Sequence, residues 1–340
     1  MKIVVYGAGG IGCYVGGRLA ASGTAVTFVG RQRMAREVAA HGLHLTDYLG
    51  ADLRVPEVDF ETTPEAAAGA DLVLVTVKSA ATDSAAAELA PVLKPGAVVM
   101  SFQNGIRNGE LLRSRLTEQV VVPGMVPFNV LNRGAGVFHQ GTEGALDVQR
   151  DAVLAPYVEA FQWAGLPLTQ HDDILPVQWA KLLLNLNNPI NALSNLPLRD
   201  ELSQRAYRRC LAAAQAETLG ILEAAGIEPA QLLAVPMRRF PAILRLPDFL
   251  FRRLAAKMLA IDPLARTSMW EDLEAGRPTE IDYLNGEVVR LAESLGRTAP
   301  VNTRLVELIR AAESDGAAAT AAGRARRAWS GAELLGDLQR

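Results

Sequence analysis

Two groups of residues in this chain have the types and spacings that could do chemistry. The first is Gly7, Ala8, Gly9, Gly10, Ile11 and Gly12, which follow the apolar run Ile3 to Tyr6 and precede a small-residue helical pattern. This arrangement suits a dinucleotide: one glycine permits a sharp turn out of a strand, one lets the backbone approach a pyrophosphate, and one lets the helix pack closely on its strand. The N–H groups that open the helix then face the phosphates. The second group is Lys181, Asn185 and Asn188, spaced by four and three in the leucine-rich segment Val177 to Asn195, so that on one helix they share a face. A lysine desolvated among leucines has a lowered pKa and can give up a proton near neutral pH. The same spacing also fits a lysine that reaches solvent along its own methylenes, beside asparagines that cap neighbouring helices.

Other residues fall at positions where ligands bind. Arg31, with Arg33 as helper, follows the apolar run Ala25 to Val29, and no Asp or Glu stands there. An acidic residue at that point would accept from the ribose 2′-hydroxyl of NAD, whereas an arginine suits the 2′-phosphate of NADP. Lys78 directly follows the continuous run Asp71 to Val77, and Asn104, in Gln103-Asn104-Gly105, follows Ala97 to Phe102. Both lie at the carboxyl end of an expected strand, the edge at which open α/β sheets bind ligands. Ser268 and Glu280 stand twelve residues apart, around an expected helix at Trp270 to Ala275 that Gly276 and Pro278 punctuate. They could converge from adjacent elements, although Glu280 alone reads as a glutamate favoured in a first helical turn. His41 and His44 lack carboxylate or cysteine companions and read as surface residues, so no metal site is expected.

The elements that must position these residues follow from hydrophobic patterning. Short β-rich runs alternate with helical patterns up to about residue 175, which implies a mostly parallel sheet covered on both faces. Gly42 to Phe60 reads as short strands or a hairpin at the sheet edge. Val120 to Val122 and Gly136 to Gln149 read as antiparallel additions. Ala152 to Ala164 reads as an amphipathic helix before a last short strand, Leu166 to Thr169. From about Pro176 onward alanine and leucine patterns at helical spacing take over. The expected organisation is α/β: a Rossmann-like NADP-binding domain over residues 1–175, an all-helical domain over 176–315 that carries the Lys181 segment and, by the resemblance given below, the substrate and catalytic residues, and a tail, 316–340, that is a peripheral helix or partly disordered.

Composition bounds the function. With 340 residues, 49% of them apolar, the chain can bury two cores. A net charge of −3 gives no electrostatic reason to expect nucleic acid or an anionic membrane as partner. Two cysteines, Cys13 and Cys210, form neither a zinc pattern nor a disulfide framework. The glycine density of the apolar N-terminus argues against a signal or a spanning segment, so a cytoplasmic protein is expected.

Taken together the motifs resemble the ketopantoate reductase (2-dehydropantoate 2-reductase) family. The resemblance rests on GAGGIG at 7–12, Lys78, QNG at 103–105, WAKLLLN at 179–185, TSM at 267–269 and TEIDYLNG at 279–286, in that order along nearly the whole chain. It implies a Rossmann domain joined to a helical domain with catalysis in the cleft between them, NADP(H) as cofactor, a small 2-oxo acid as substrate and a possible homodimer. It further implies that Lys181 is the general acid, that Glu280 assists it and contacts cofactor, that Asn104 sits between nicotinamide and substrate, and that Asn185 and Ser268 bind the substrate. Three positions depart from the family pattern. Pro189 and Leu198 stand where substrate amides are expected, so that Asn188 or Asn191 must serve as the second amide of the polar helix, and Ala265 replaces an asparagine before the serine. The basic and apolar segment Val235 to Lys257 is long, and it is expected to cover the cleft or form a subunit contact. The leading expectation is NADPH-dependent reduction of ketopantoate to pantoate. The alternatives are the same chemistry on another branched 2-oxo acid, or a non-catalytic NADP-binding regulator.

Overall fold

The structure, a computed structural model, describes residues 1–232, 234–254, 265–321 and 326–340, with the backbone alone for 316–321. Residues 255–257 of the long basic segment and 322–325 of the tail therefore lie outside the described residues. The chain forms two compact units, Met1–Gln178 and Trp179–Arg340.

The first unit alternates strand and helix in the order β1 (Ile3–Tyr6), α1 (Gly10–Ala21), β2 (Val26–Val29), α2 (Gln32–His41), β3 (Leu43–Asp47), β4 (Asp52–Val55), β5 (Asp59–Glu61), β6 (Leu72–Val75), α3 (Thr82–Leu89), β7 (Val98–Ser101), α4 (Asn108–Arg115), β8 (Val120–Met125), β9 (Val130–Gly134), β10 (Val137–Gln140), β11 (Leu146–Gln149), α5 (Ala155–Trp163) and β12 (Leu168–His171). Among the described residues the main sheet runs β12-β11-β8-β7-β6-β1-β2-β5, parallel from β8 through β5. Its central strands are buried on both faces, and successive side chains divide between two cores. Ile3, Val5, Leu72 and Leu74 join Tyr14 of α1, Phe161 of α5 and Phe138 of β10. Val4, Tyr6, Val73 and Val75 join Ala85 and Leu89 of α3 and Leu112 of α4 on the other side.

The edge strands differ from expectation. The Gly42 to Phe60 hairpin exists as β3 and β4, but it belongs to a second sheet, β4-β3-β10-β9, rather than to the edge of the main one. The cause is β10, which pairs in parallel with β3 and thereby takes the hairpin onto α1. Only β5 extends the main sheet there. At the other edge β8 is parallel to β7, and β11 alone runs antiparallel to β8.

Helix α6 (Leu175–Asn185) leads into the second unit, which contains α7 (Asn188–Ser194), α8 (Leu198–Leu202), α9 (Arg205–Ala224), α10 (Phe240–Leu244), α11 (Asp248–Leu254), α12 (Ser268–Glu274), α13 (Asn285–Ser294), α14 (Pro300–Ala321) and α15 (Gly331–Asp337). The twenty-residue α9 packs against α8, α10, α13, α14 and α15. The single helix expected from Val177 to Asn195 is broken. Asn187 N–H bonds Leu184 O at 3.3 Å, a tightened turn, and Pro189, which has no N–H to donate, opens α7. Lys181 and Asn185 thus stay on α6, while Asn188 begins the next helix.

Segment 235–254 is tied down by Arg208 of α9, a fully buried side chain. Its guanidinium donates to Leu202 O at 2.9 Å, Leu244 O at 3.2 Å and Leu246 O at 2.9 Å, pairs with Asp248 at 2.8 Å and stacks on Phe251. At the chain's end α15 starts in a capping box formed by Ser330 and Glu333 and buries Leu334 and Leu335.

Candidate functional site

In the first unit the strand order reverses between β1 and β6. The chain builds β2 and β5 on one side of β1, then crosses to β6, β7 and β8 on the other. The crevice at the carboxyl ends of strands flanking such a switch point is where open α/β sheets take ligands. The glycine turn follows β1, and Thr76 to Lys78 follow β6, so both arrive at this point.

The glycines are held close to backbone. Gly7 has φ +105°, and a Cβ there would lie 2.5 Å from Val77 N. A Cβ on Gly12 would lie 2.5 Å from Thr76 Oγ1 and 2.6 Å from Gly7 O, so α1 could not lie this near its strand with any larger residue. Thr76 Oγ1 donates to Gly7 O at 2.8 Å and fixes the turn from the neighbouring strand. Gly9, by contrast, is exposed, and a Cβ there would meet nothing nearer than Gly7 O at 3.9 Å. It carries no side chain at the N-terminus of α1, whose first turn has no acidic residue, and its own N–H donates to Gly7 O at 2.6 Å. A helix N-terminus approached over a side-chain-free turn suits a pyrophosphate.

Arg31 is the exposed N-cap of α2, one residue past Gly30, where a Cβ would lie 2.9 Å from Ala8. Arg33 is exposed beside it. Lys78 is exposed at the start of a short 3₁₀ turn, Ser79–Ala81.

Asn104 is held by a buried polar network. Its carbonyl accepts from Ser79 Oγ at 2.6 Å and from Asn108 Nδ2 at 2.5 Å. Thr82 Oγ1 donates to Asn108 Oδ1 at 2.8 Å, and Gln103 Nε2 reaches Thr82 Oγ1 at 2.7 Å and Val77 O at 3.0 Å. Ser101 Oγ closes the network on Gln103 Oε1 at 2.9 Å. Such a satisfied network fixes the backbone on either side of Lys78 and Asn104, while the Asn104 side chain remains partly exposed. Thr76, Ser79, Thr82 and Asn108 were not among the residues expected from sequence. Apart from Asn108 to Asn104, four residues apart, the bonds given above for these four join residues 21 to 69 positions apart, which no local spacing marks.

In the second unit Trp179, Ala180, Leu182, Leu183 and Leu186 bury the core side of the Lys181 helix. Lys181 and Asn185 lie on α6 at intermediate exposure. Burial of the ammonium lowers the Lys181 pKa to about 8. Asn188 keeps intermediate exposure.

Asn191 is fully buried, and both ends of its amide are engaged. Nδ2 donates to Glu201 Oε2 at 2.6 Å and Leu196 O at 2.9 Å, and Oδ1 accepts from Thr267 N at 3.0 Å. Of the two candidates for the second amide, only Asn188 therefore keeps exposed surface.

Ser268 is exposed as the first residue of α12, behind the N-cap Thr267. Glu280 is the N-cap of a 3₁₀ turn, Ile281–Tyr283, at intermediate exposure. The peptide before it is anchored by Thr279 N–H on Glu313 Oε1 at 2.7 Å. Leu198 and Ala265, two of the departures from the family pattern, are neighbours, with Leu198 N–H donating to Ala265 O at 2.9 Å.

Comparison with known proteins covers both units. The family model described as Ketopantoate reductase PanE/ApbA matches residues 3–152, and its C-terminal counterpart matches residues 173–313. A 2-dehydropantoate 2-reductase of Halobacterium salinarum is 30% identical over 323 residues, 93% of this chain and 100% of the relative. A solved PanE/ApbA family ketopantoate reductase from Ralstonia eutropha JMP134 superposes with a TM-score of 0.80 at 32% identity, covering 93% of this chain and all of its own. A D-mandelate dehydrogenase solved with NADH and anilino(oxo)acetate shares the fold at a TM-score of 0.78 and 20% identity, with coverage of 93% and 100%.

Proposed function

Since the chain belongs to the ketopantoate reductase family and is thus an oxidoreductase, we propose that it reduces 2-dehydropantoate (ketopantoate) to pantoate with NADPH. Family membership sets aside the non-catalytic regulator. The observation that carries the reading is the placement of Lys181 and Asn185 four residues apart on α6, beside the buried Trp179, Ala180, Leu182, Leu183 and Leu186; burial of the ammonium lowers its pKa to about 8, in the range of a proton donor near neutrality.

The fit of the cofactor rests on the glycine cradle that a Cβ would fill and on the N-terminus of α1. Gly7, Ala8, Gly9, Gly10, Ile11 and Gly12 would hold the pyrophosphate, Arg31 the 2′-phosphate, and Lys78, Asn104 and Glu280 the remainder. When bound, NADPH supplies the hydride that adds to the 2-oxo carbon. Lys181 donates the proton that the resulting alkoxide oxygen requires. Its positive charge stabilises that oxygen as negative charge develops. Glu280 orients the lysine and favours its charged form. Asn185, Asn188 and Ser268 bind the polar ends of the substrate, and Asn104 lies beside its carbonyl.

A second reading keeps this chemistry and changes the acid. It is favoured by the apolar Leu198 and Ala265, joined through their backbones where relatives are expected to carry amides. NADPH consumption measured against ketopantoate and a panel of branched 2-oxo acids separates the two. Ketopantoate should give the highest kcat/KM; a tenfold higher value for another acid would transfer the assignment to it. A homodimer is part of the proposal, supported by the exposed Phe249, Leu250 and Leu254 of α11, and analytical ultracentrifugation measures it.

A further inference from the structure

Ser268 opens α12, and what holds that first turn is a line of buried polar groups that begins at Glu201. Glu201 lies on α8 and is 0% exposed. Its Oε2 accepts from Asn191 Nδ2 at 2.6 Å. Thr267 sets the orientation of that amide. Its backbone N–H can only donate, so the atom it meets at 3.0 Å is Asn191 Oδ1, which also receives Thr267 Oγ1 at 3.2 Å. Thr267 Oγ1 in turn accepts from Trp270 N, the N-cap bond that starts the helix. A second tie, Trp270 Nε1 to Asn195 Oδ1 at 2.7 Å, links the same turn to the end of α7.

A carboxyl in this place is costly. Glu201 Oε1 is buried with no hydrogen-bond partner among the described residues. An apolar side chain of similar volume would fill the space without that cost, so what the carboxyl adds is the orientation of the amides it meets, Asn191 at the start of this line and Asn187 beside it. We propose that Glu201 is a positioning residue for substrate binding: through Asn191 and Thr267 it fixes the first turn of α12 and so the placement of the Ser268 hydroxyl toward the 2-oxo acid. This rests on Ser268 being a substrate contact. Burial raises the Glu201 pKa to about 8, which favours the neutral acid, and glutamine keeps its length and the oxygen that accepts from Asn191.

The test compares Glu201→Gln and Glu201→Met in the full chain. Four quantities are read: KM for ketopantoate, kcat, NADPH affinity, and amide hydrogen exchange over residues 267–270. E201Q should match the parent. E201M should raise KM about tenfold, as expected when one hydrogen bond to substrate is misplaced, with kcat and NADPH affinity within about twofold and faster exchange over 267–270. An unchanged KM and unchanged exchange in E201M overturn the proposal. Faster exchange with an unchanged KM also overturns it and removes Ser268 from the substrate site. If the parent protein turns over no 2-oxo acid, the functional reading fails, and the exchange comparison alone still decides whether Glu201 holds the turn. Should E201M not fold, Thr267→Val cuts the same line at its other end, and an unchanged KM there is equally contrary.

Discussion

Among single residues, Lys181 bears on turnover and Arg31 on cofactor choice. Lys181→Ala should lower kcat by about 10²–10⁴-fold, the usual worth of a positioned acid, with NADPH affinity retained in a fluorescence titration. The pH dependence has a definite sign. If Lys181 is the proton donor, reduction needs it protonated, and with its pKa lowered by burial to about 8, kcat/KM should be level below that pH and fall as pH rises through it. A rate that rises through the same range would make Lys181 a base rather than an acid. Arg31→Ala should raise KM for NADPH by roughly tenfold or more and leave KM for NADH nearly unchanged, because only the 2′-phosphate needs the guanidinium. Equal loss of both would remove the 2′-phosphate role. The sequence singles out these side chains because each sits beside a local signal, a strand end or a leucine run. It could not show that Asn191 is consumed by the protein, since Glu201 and Thr267 lie 10 and 76 residues away.

At the scale of elements, the glycine turn was readable because its chemistry is contiguous, and the helix carrying Lys181 was readable only as far as its break. Leucines continue through Asn185 and Asn188 at helical spacing, and Pro189 alone marks the new start. The second sheet was hidden for a different reason. On the side away from β4, β3 pairs with β10, with Thr46 and His139 side chains hydrogen-bonded across 93 residues, and strand pairing at that separation leaves no local pattern. The close seat of α1 gives a stability prediction. Gly12→Ala puts a methyl 2.5 Å from Thr76 Oγ1 and 2.6 Å from Gly7 O, and the backbone contact cannot yield. Thermal unfolding should show a loss of about 1–3 kcal/mol, accompanied by weaker NADPH binding. An unchanged Tm with full NADPH affinity would mean that α1 sits farther from β1 and β6 than the structure has it.

At the scale of the whole molecule, the change from β-rich to helical patterning announced two architectures, and the chain folds as an α/β unit followed by a helical one. No helix among the described residues is long and apolar enough to cross a membrane. The division of labour is also one of sequence: the cofactor chemistry is assigned to residues before Gln178, apart from Glu280, and the acid chemistry to residues after Trp179. We propose that these two sets serve one reaction, hydride transfer from NADPH with proton donation by Lys181. Its most direct test is NADPH oxidation on addition of ketopantoate, measured in parallel for the parent protein and Lys181→Ala at pH 7. Rapid, ketopantoate-dependent oxidation in the parent and a loss of at least about 10²-fold in the variant, with NADPH still bound, is the predicted result. Equal rates in the two proteins, or no ketopantoate-dependent oxidation in the parent, would contradict it.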